Sequence, residues 1–169
     1  PFFRNKKVAV VGSGNSALEA VEDLMPYAGE IVLLVRSGEL KGDAVTQEKI
    51  LASPKVSVRY HVTTQAILGE GKVTGITALN SETNTPEDIM LDGVFVEIGM
   101  VPNTEFVKDI LQLNERGEIV VDARTAATSR PGIFATGDAT DLPYKQNNIS
   151  AGVGVTAALS AYDFVRKGK

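Results

Sequence analysis

Cysteine and tryptophan are absent from the 169 residues, and histidine occurs once, as His61. Without cysteine there is no disulfide framework, no thiol nucleophile and no thiolate metal site. A single histidine excludes a multi-histidine metal centre and argues against a Ser-His-Asp arrangement. No apolar stretch reaches the roughly 18 residues of a membrane span, and no secretory-type start is present, so the expected setting is cytoplasmic and free of membrane. Seventeen Lys and Arg stand against 21 Asp and Glu, for a net charge of −4. With no basic block and few aromatics, a dedicated nucleic-acid binder is not expected. What is present is an ordinary globular balance, 43% hydrophobic and 22% charged, on a chain long enough for one domain or two small lobes. Sixteen residues are glycine, above the average of about 7%. The chain opens Pro1-Phe2-Phe3 without Met and is read as a piece of something longer.

Lys7-Val8-Ala9-Val10-Val11 is a continuous β-branched run, as expected of a strand buried on both faces of a parallel sheet. Gly12-Ser13-Gly14 follows, and then apolar residues at Ala17, Leu18, Val21, Leu24 and Met25 fall at helical spacing. Ile31-Val32-Leu33-Leu34-Val35 predicts a second buried strand, completing a βαβ unit. A short helix over residues 44–51 and a strand over 56–60 continue the pattern. From His61 the rhythm changes to short strands at 62–68, 73–79 and 89–91, separated by turns at 69–71 and 81–86, which predicts an antiparallel meander. Residues 93–99 return to the parallel sheet, and Gly99 with Pro102 marks an internal boundary. Beyond it the reading is a short helix at 106–111, strands at 119–121 and 133–135, a glycine turn at Gly137-Asp138, and a long helix over 149–166.

Gly12-x-Gly14-x-x-Ala17 between strand and helix carries the strongest chemistry. The first glycine permits a tight turn, the second lets a pyrophosphate approach bare backbone, and Ala17 lets helix and strand pack closely. The phosphates would sit on the free N–H groups and positive end of the helix, where Asn15 and Ser16 also lie. At the end of the second strand an acid reads the 2′-OH of NAD, whereas an arginine accommodates the 2′-phosphate of NADP. Here the residues are Val35-Arg36-Ser37, with Lys41 close by, which favours NADPH. Glu19 lies on the first turns of the glycine-loop helix. Gly137 and Asp138 place a carboxylate at a strand-to-loop turn, able to accept from sugar-like hydroxyls. The last helix opens with small residues, Ser150, Ala151 and Gly152, where bare N–H groups could meet negative charge.

In combination these segments resemble the thioredoxin-reductase-like pyridine nucleotide-disulfide oxidoreductases, and among them the flavoprotein branch of alkyl hydroperoxide reductase. The resemblance runs through residues 2–17, through Glu97-Ile98-Gly99-Met100-Val101-Pro102-Asn103-Thr104, and through Gly132-Ile133-Phe134-Ala135-Thr136-Gly137-Asp138. Pro143-Tyr144-Lys145-Gln146 and residues 158–163 point to the peroxide-reductase branch. It implies an α/β fold: a Rossmann-like parallel sheet with an inserted antiparallel meander in an NAD(P)H lobe, residues 1–98, then the C-terminal part of an FAD lobe, residues 99–169. Gly12, Gly14, Asn15 and Ser16 would face the NAD(P)H pyrophosphate, with Glu19 near the nicotinamide and Gly99 at the junction of the lobes. Gly137 and Asp138 would face FAD, and Gln146, Ser150 and Ala151 the flavin ring. The implied chemistry is hydride transfer from NAD(P)H to FAD, then electrons through a dithiol to a thioredoxin-like or peroxiredoxin partner, in a homodimer.

The chain departs from that pattern in three places. It holds no second glycine fingerprint, no Cys-x-x-Cys, and Val35 where the branch carries an acid. An upstream segment with both missing motifs is therefore expected, and the dithiol step is beyond this chain alone. Two other readings stay open: a ferredoxin–NADP-type reductase of the same architecture, and a non-catalytic nucleotide-binding module.

Overall fold

The computed structural model describes residues 2–168. It divides into two compact units, Pro1–Gly99 and Met100–Lys169. In the first, strands β1 (Lys7–Val11), β2 (Glu30–Leu34), β3 (Val56–Arg59) and β7 (Gly93–Val96) form a parallel sheet in the order β3-β2-β1-β7. Helices α1 (Asn15–Leu24) and α2 (Ala44–Leu51) connect the first three strands. Between β3 and β7, strands β4 (Val62–Leu68), β5 (Gly75–Asn80) and β6 (Thr85–Met90) make a separate antiparallel sheet in sequence order.

The unbroken apolar runs of β1 and β2 are explained by what covers each face. Side chains alternate across a strand. Val8, Val10, Ile31, Leu33 and Val35 point into a core shared with Ala17, Leu18 and Val21 of α1 and Ile50 of α2. Ala9, Val32 and Leu34 point the other way, into a second core with Val62, Ile76, Ala78 and Ile89 of the meander. Helices, parallel sheet and meander are thus three layers, and the central strands β1 and β2 are covered on both faces.

Three readings from sequence are corrected here. Residues 81–86 are not all turn, because β6 begins at Thr85 and carries Pro86, Glu87 and Asp88 exposed on the edge of the meander, a position proline tolerates. The expected helix at 106–111 is a single 3-10 turn, Glu105–Val107. The apolar runs at 119–121 and 133–135 form isolated bridges instead of ladders: Ile119 with Leu113 and Thr140, Val121 with Thr128, and Phe134 with Ala127. Backbone groups there bond mostly to loop backbone outside any ladder, as where Ile119 N–H donates to the Ala139 carbonyl at 2.8 Å, while Val121 N–H donates to Asp141 Oδ1 at 3.1 Å.

The second unit is accordingly held by polar anchors as well as by its helix α3 (Asn147–Arg166). Glu118 accepts from Asn114 Nδ2 at 2.7 Å and pairs with Lys145 Nζ at 3.0 Å. Asp122 Oδ1 accepts from Thr125 Oγ1 and from the N–H groups of Arg124 and Thr125, each at 2.9 Å. The Asn114 and then the Lys145 bond hold the Glu118 carboxyl below its ordinary value, and the Thr125 hydroxyl and backbone N–H donors do the same for Asp122. In the first unit Lys6 acts likewise on Asp92. A depressed carboxylate contributes stability that is present above its unfolded pKa and lost as pH falls through the folded one. The melting temperature is therefore expected to be level near neutrality and to fall as pH drops below about 5, with Glu118→Gln and Asp122→Asn flattening that fall. A melting temperature that rises on acidification would contradict this.

Candidate functional site

Strand order reverses between β2-β1 and β1-β7, and in open α/β sheets the crevice beyond the strand ends at such a switch is where ligands bind. A cleft of about 560 Å³ lies there, lined by Val11, Leu34 and Val96 from the strand ends, by residues 12–16, and by Arg36 and Gly99.

The two glycines of the turn differ in kind. Gly12 has φ +152°, and a Cβ built on it would lie 2.3 Å from the Glu97 carbonyl oxygen and 2.9 Å from the Ala17 Cβ. The fold itself demands glycine there. Gly14 has φ −88° and ψ −175°, open to any residue, and a Cβ on it would meet nothing within 4 Å. Among the described residues no contact accounts for glycine at 14. Gly14 is also the N-cap of α1, with no side-chain cap and no acidic residue in the first turn. Helix starts leave N–H groups without intrahelical partners and carry partial positive charge, and here both face the cleft.

Asn15 and Ser16 are exposed at this helix start and line the cleft. Asn15 Oδ1 accepts from the Asp43 N–H at 2.7 Å, so its carbonyl end fastens the loop after β2, while its amide end has no such engagement among the described residues. The same loop is tied to the glycine turn where Lys41 N–H donates to the Ser13 carbonyl at 2.8 Å. Arg36, exposed just beyond β2, is at the rim, and among the described residues no carboxylate pairs with it. Glu19 is exposed on α1 but is not part of the cleft wall.

One wall was missed from sequence. Thr63, Thr64 and Ile67 of β4 line the cleft, because Val62 N–H donates to the Val35 carbonyl at 3.0 Å and directs the meander across the strand ends. The two-residue link between β3 and β4 was the available signal. The pairing of β4 with β5 shifts register between Thr64 and Ala66, and a bulge of this kind re-aims side chains beside a site. Thr64 Oγ1 is buried and, among the described residues, has no hydrogen-bond partner. An orphaned hydroxyl costs about 1–3 kcal/mol, so Thr64→Val is expected to stabilise the unliganded chain by about 1 kcal/mol in urea denaturation. A loss of stability would show that the hydroxyl is satisfied.

In the second unit the structure brings Gly137, Asp138 and Ser150 together. Ser150 Oγ donates to Asp138 Oδ1 at 3.4 Å, and Thr136 Oγ1 donates to the Ser150 carbonyl at 3.3 Å. The fully buried Thr140 locks the turn, its Oγ1 donating to the Gly137 carbonyl at 2.7 Å. Gln146 is the N-cap of α3, and Ala151 is exposed in its early turns. Among the described residues no cluster of metal-ligating side chains occurs, and no helix is long and apolar enough to cross a membrane.

A switch-point cleft, a glycine turn feeding a bare helix start, and an inserted meander define a Rossmann-like α/β protein. The chain belongs to the pyridine nucleotide-disulphide oxidoreductase family, whose model matches residues 2–158. Over 165 residues, 98% of this chain, it is 44% identical to the F subunit of alkyl hydroperoxide reductase in Staphylococcus epidermidis, and over 164 residues 43% identical to the protein of that name from Pseudomonas putida. It spans 32% and 31% of their respective lengths. Its fold superposes on thioredoxin reductase of Lactococcus lactis with a TM-score of 0.81 at 29% identity, covering 98% of this chain and 55% of the other. For the T. acidophilum thioredoxin reductase the TM-score is 0.77 at 33% identity, with 96% and 53% covered. The resemblance seen in sequence is borne out.

Proposed function

We propose that residues 1–98 are a nicotinamide-nucleotide lobe that holds NAD(P)H for hydride transfer to a flavin, and that residues 99–169 are the C-terminal part of the FAD lobe of the same disulfide reductase. The observation that carries this reading is Gly14: among the described residues nothing lies within 4 Å of its absent Cβ, and bare backbone at the start of α1 is what an approaching phosphate needs. Gly12, Gly14, Asn15 and Ser16 would hold the pyrophosphate against the positive start of α1. Arg36 would neutralise a 2′-phosphate, giving a preference for NADPH, and Gly99 would leave the far end of the cleft open. Glu19, outside the cleft wall, would approach the nicotinamide end if that end extends past the helix.

In the second unit, Asp138, oriented by Ser150, would accept hydrogen bonds from the hydroxyls of FAD, with Gln146 and Ala151 placing the start of α3 beside the ring. A flavin held there supplies two-electron chemistry. The chain itself supplies binding, orientation and charge, and with no cysteine it leaves the disulfide step to residues elsewhere in the protein. Thioredoxin-like or peroxiredoxin partners are proposed on the strength of the relatives' names, and a homodimer on the family resemblance. Calorimetric titration tests the core of the reading: saturable 1:1 binding of NADPH and NADH is expected, and no binding of either would overturn it.

A further inference from the structure

We propose that His61 is a positioning residue that sets the discrimination between NADPH and NADH by holding the loop that carries Arg36; this rests on the reading of the cleft as a nicotinamide-nucleotide site. His61 lies in the short link between β3 and β4, with φ 58°, in the left-handed region that few non-glycine residues adopt. Such a conformation persists where the surroundings impose it. The His61 N–H donates to the Ser37 carbonyl at 3.2 Å, and its own carbonyl accepts from Ser81 N–H at 2.8 Å and Ser81 Oγ at 3.1 Å.

The imidazole then fills the place of a side chain at residue 38. A Cβ built on Gly38 would lie 2.8 Å from both Cε1 and Nε2 of His61, and the backbone of Gly38 is outside the left-handed region. A side chain at residue 38 would have to displace the ring. The same Nε2 lies 3.6 Å from Glu82 Oε1. Gly38 is two residues from Arg36. The far end of the same loop is fastened to the glycine turn and α1, through Lys41 to Ser13 at 2.8 Å and Asp43 to Asn15 at 2.7 Å. His61 fastens the near end. A guanidinium held in place before binding loses less freedom when it meets a phosphate, and NADH has no 2′-phosphate to benefit.

The test titrates the full chain with NADPH and with NADH, in the wild type and in Arg36→Ala, His61→Asn, Gly38→Ala and the Gly38→Ala/His61→Asn double variant, with melting curves for each. Asparagine tolerates the left-handed backbone and removes the ring. His61→Asn is expected to lower the NADPH-to-NADH affinity ratio about tenfold, ~1.4 kcal/mol. Gly38→Ala, which must displace the ring, is expected to do the same, and the double variant to be no worse than either single one. A loss shared equally by both nucleotides, with the ratio unchanged, would mean a general structural role and overturn the proposal. If Arg36→Ala collapses the ratio while His61→Asn and Gly38→Ala leave it intact, the proposal fails and the reading of Arg36 stands. If Arg36→Ala leaves the ratio intact, both fall.

Discussion

Gly14→Asp is expected to leave the chain folded and to abolish nicotinamide-nucleotide binding, whereas Gly12→Ala is expected to damage the fold itself. At position 14 the backbone is extended, as an N-cap requires, and the Cβ enters open space. Aspartate is a better N-cap than glycine by a few tenths of a kcal/mol, so the melting temperature should hold or rise slightly. Its carboxylate would occupy the bare N–H groups and repel the phosphates, weakening binding by about 100-fold or more, ~2.7 kcal/mol. At position 12 a methyl group would meet the Glu97 carbonyl at 2.3 Å on a backbone that side chains rarely adopt. Since β7 would have to shift away from β1, a loss of about 3 kcal/mol or more is expected. Melting curves together with calorimetry separate the two outcomes. Equal loss of stability in both variants would contradict the division of labour between the glycines.

Arg36→Ala carries the second large expected effect. The guanidinium stands exposed at the cleft rim with no carboxylate partner among the described residues, so its removal should cost the fold little. Charge-assisted bonds to a phosphate are among the strong ones, and NADPH affinity should fall by about 10- to 100-fold while NADH stays within about twofold. The wild type should then bind NADPH more tightly than NADH. Equal losses for the two nucleotides would refute a 2′-phosphate role.

Legibility in the sequence followed the strength of local constraint. β1 and β2 were plain because a strand covered on both faces has to be apolar at every position, and Val8, Ala9 and Val10 divide between the two cores as their alternation requires. The glycine turn was plain because Gly12-x-Gly14-x-x-Ala17 falls between a strand and a helix, and at Gly12 backbone geometry admits one residue type. β6 was obscured because an exposed edge strand selects for charge and tolerates proline, so Pro86-Glu87-Asp88 read as a turn. The runs at 119–121 and 133–135 looked like strands, yet apolar character does not supply a ladder partner, and their pairing stops at single bridges. The Thr63 and Thr64 wall depends on how two sheets stack, a relation no local pattern in β4 encodes. The bond by which the Asn15 carbonyl end also fastens the Asp43 backbone joins residues far apart in sequence, and no local pattern in α1 encodes it.

The most direct measurement is amide chemical-shift mapping of the isotopically labelled chain during titration with NADPH. Saturable shifts are expected at Gly12, Gly14, Asn15, Ser16, Arg36 and Gly99, with the rest of α1 and the meander edge at β6 little changed. Saturation with those amides unmoved, or perturbations confined to another face, would contradict it.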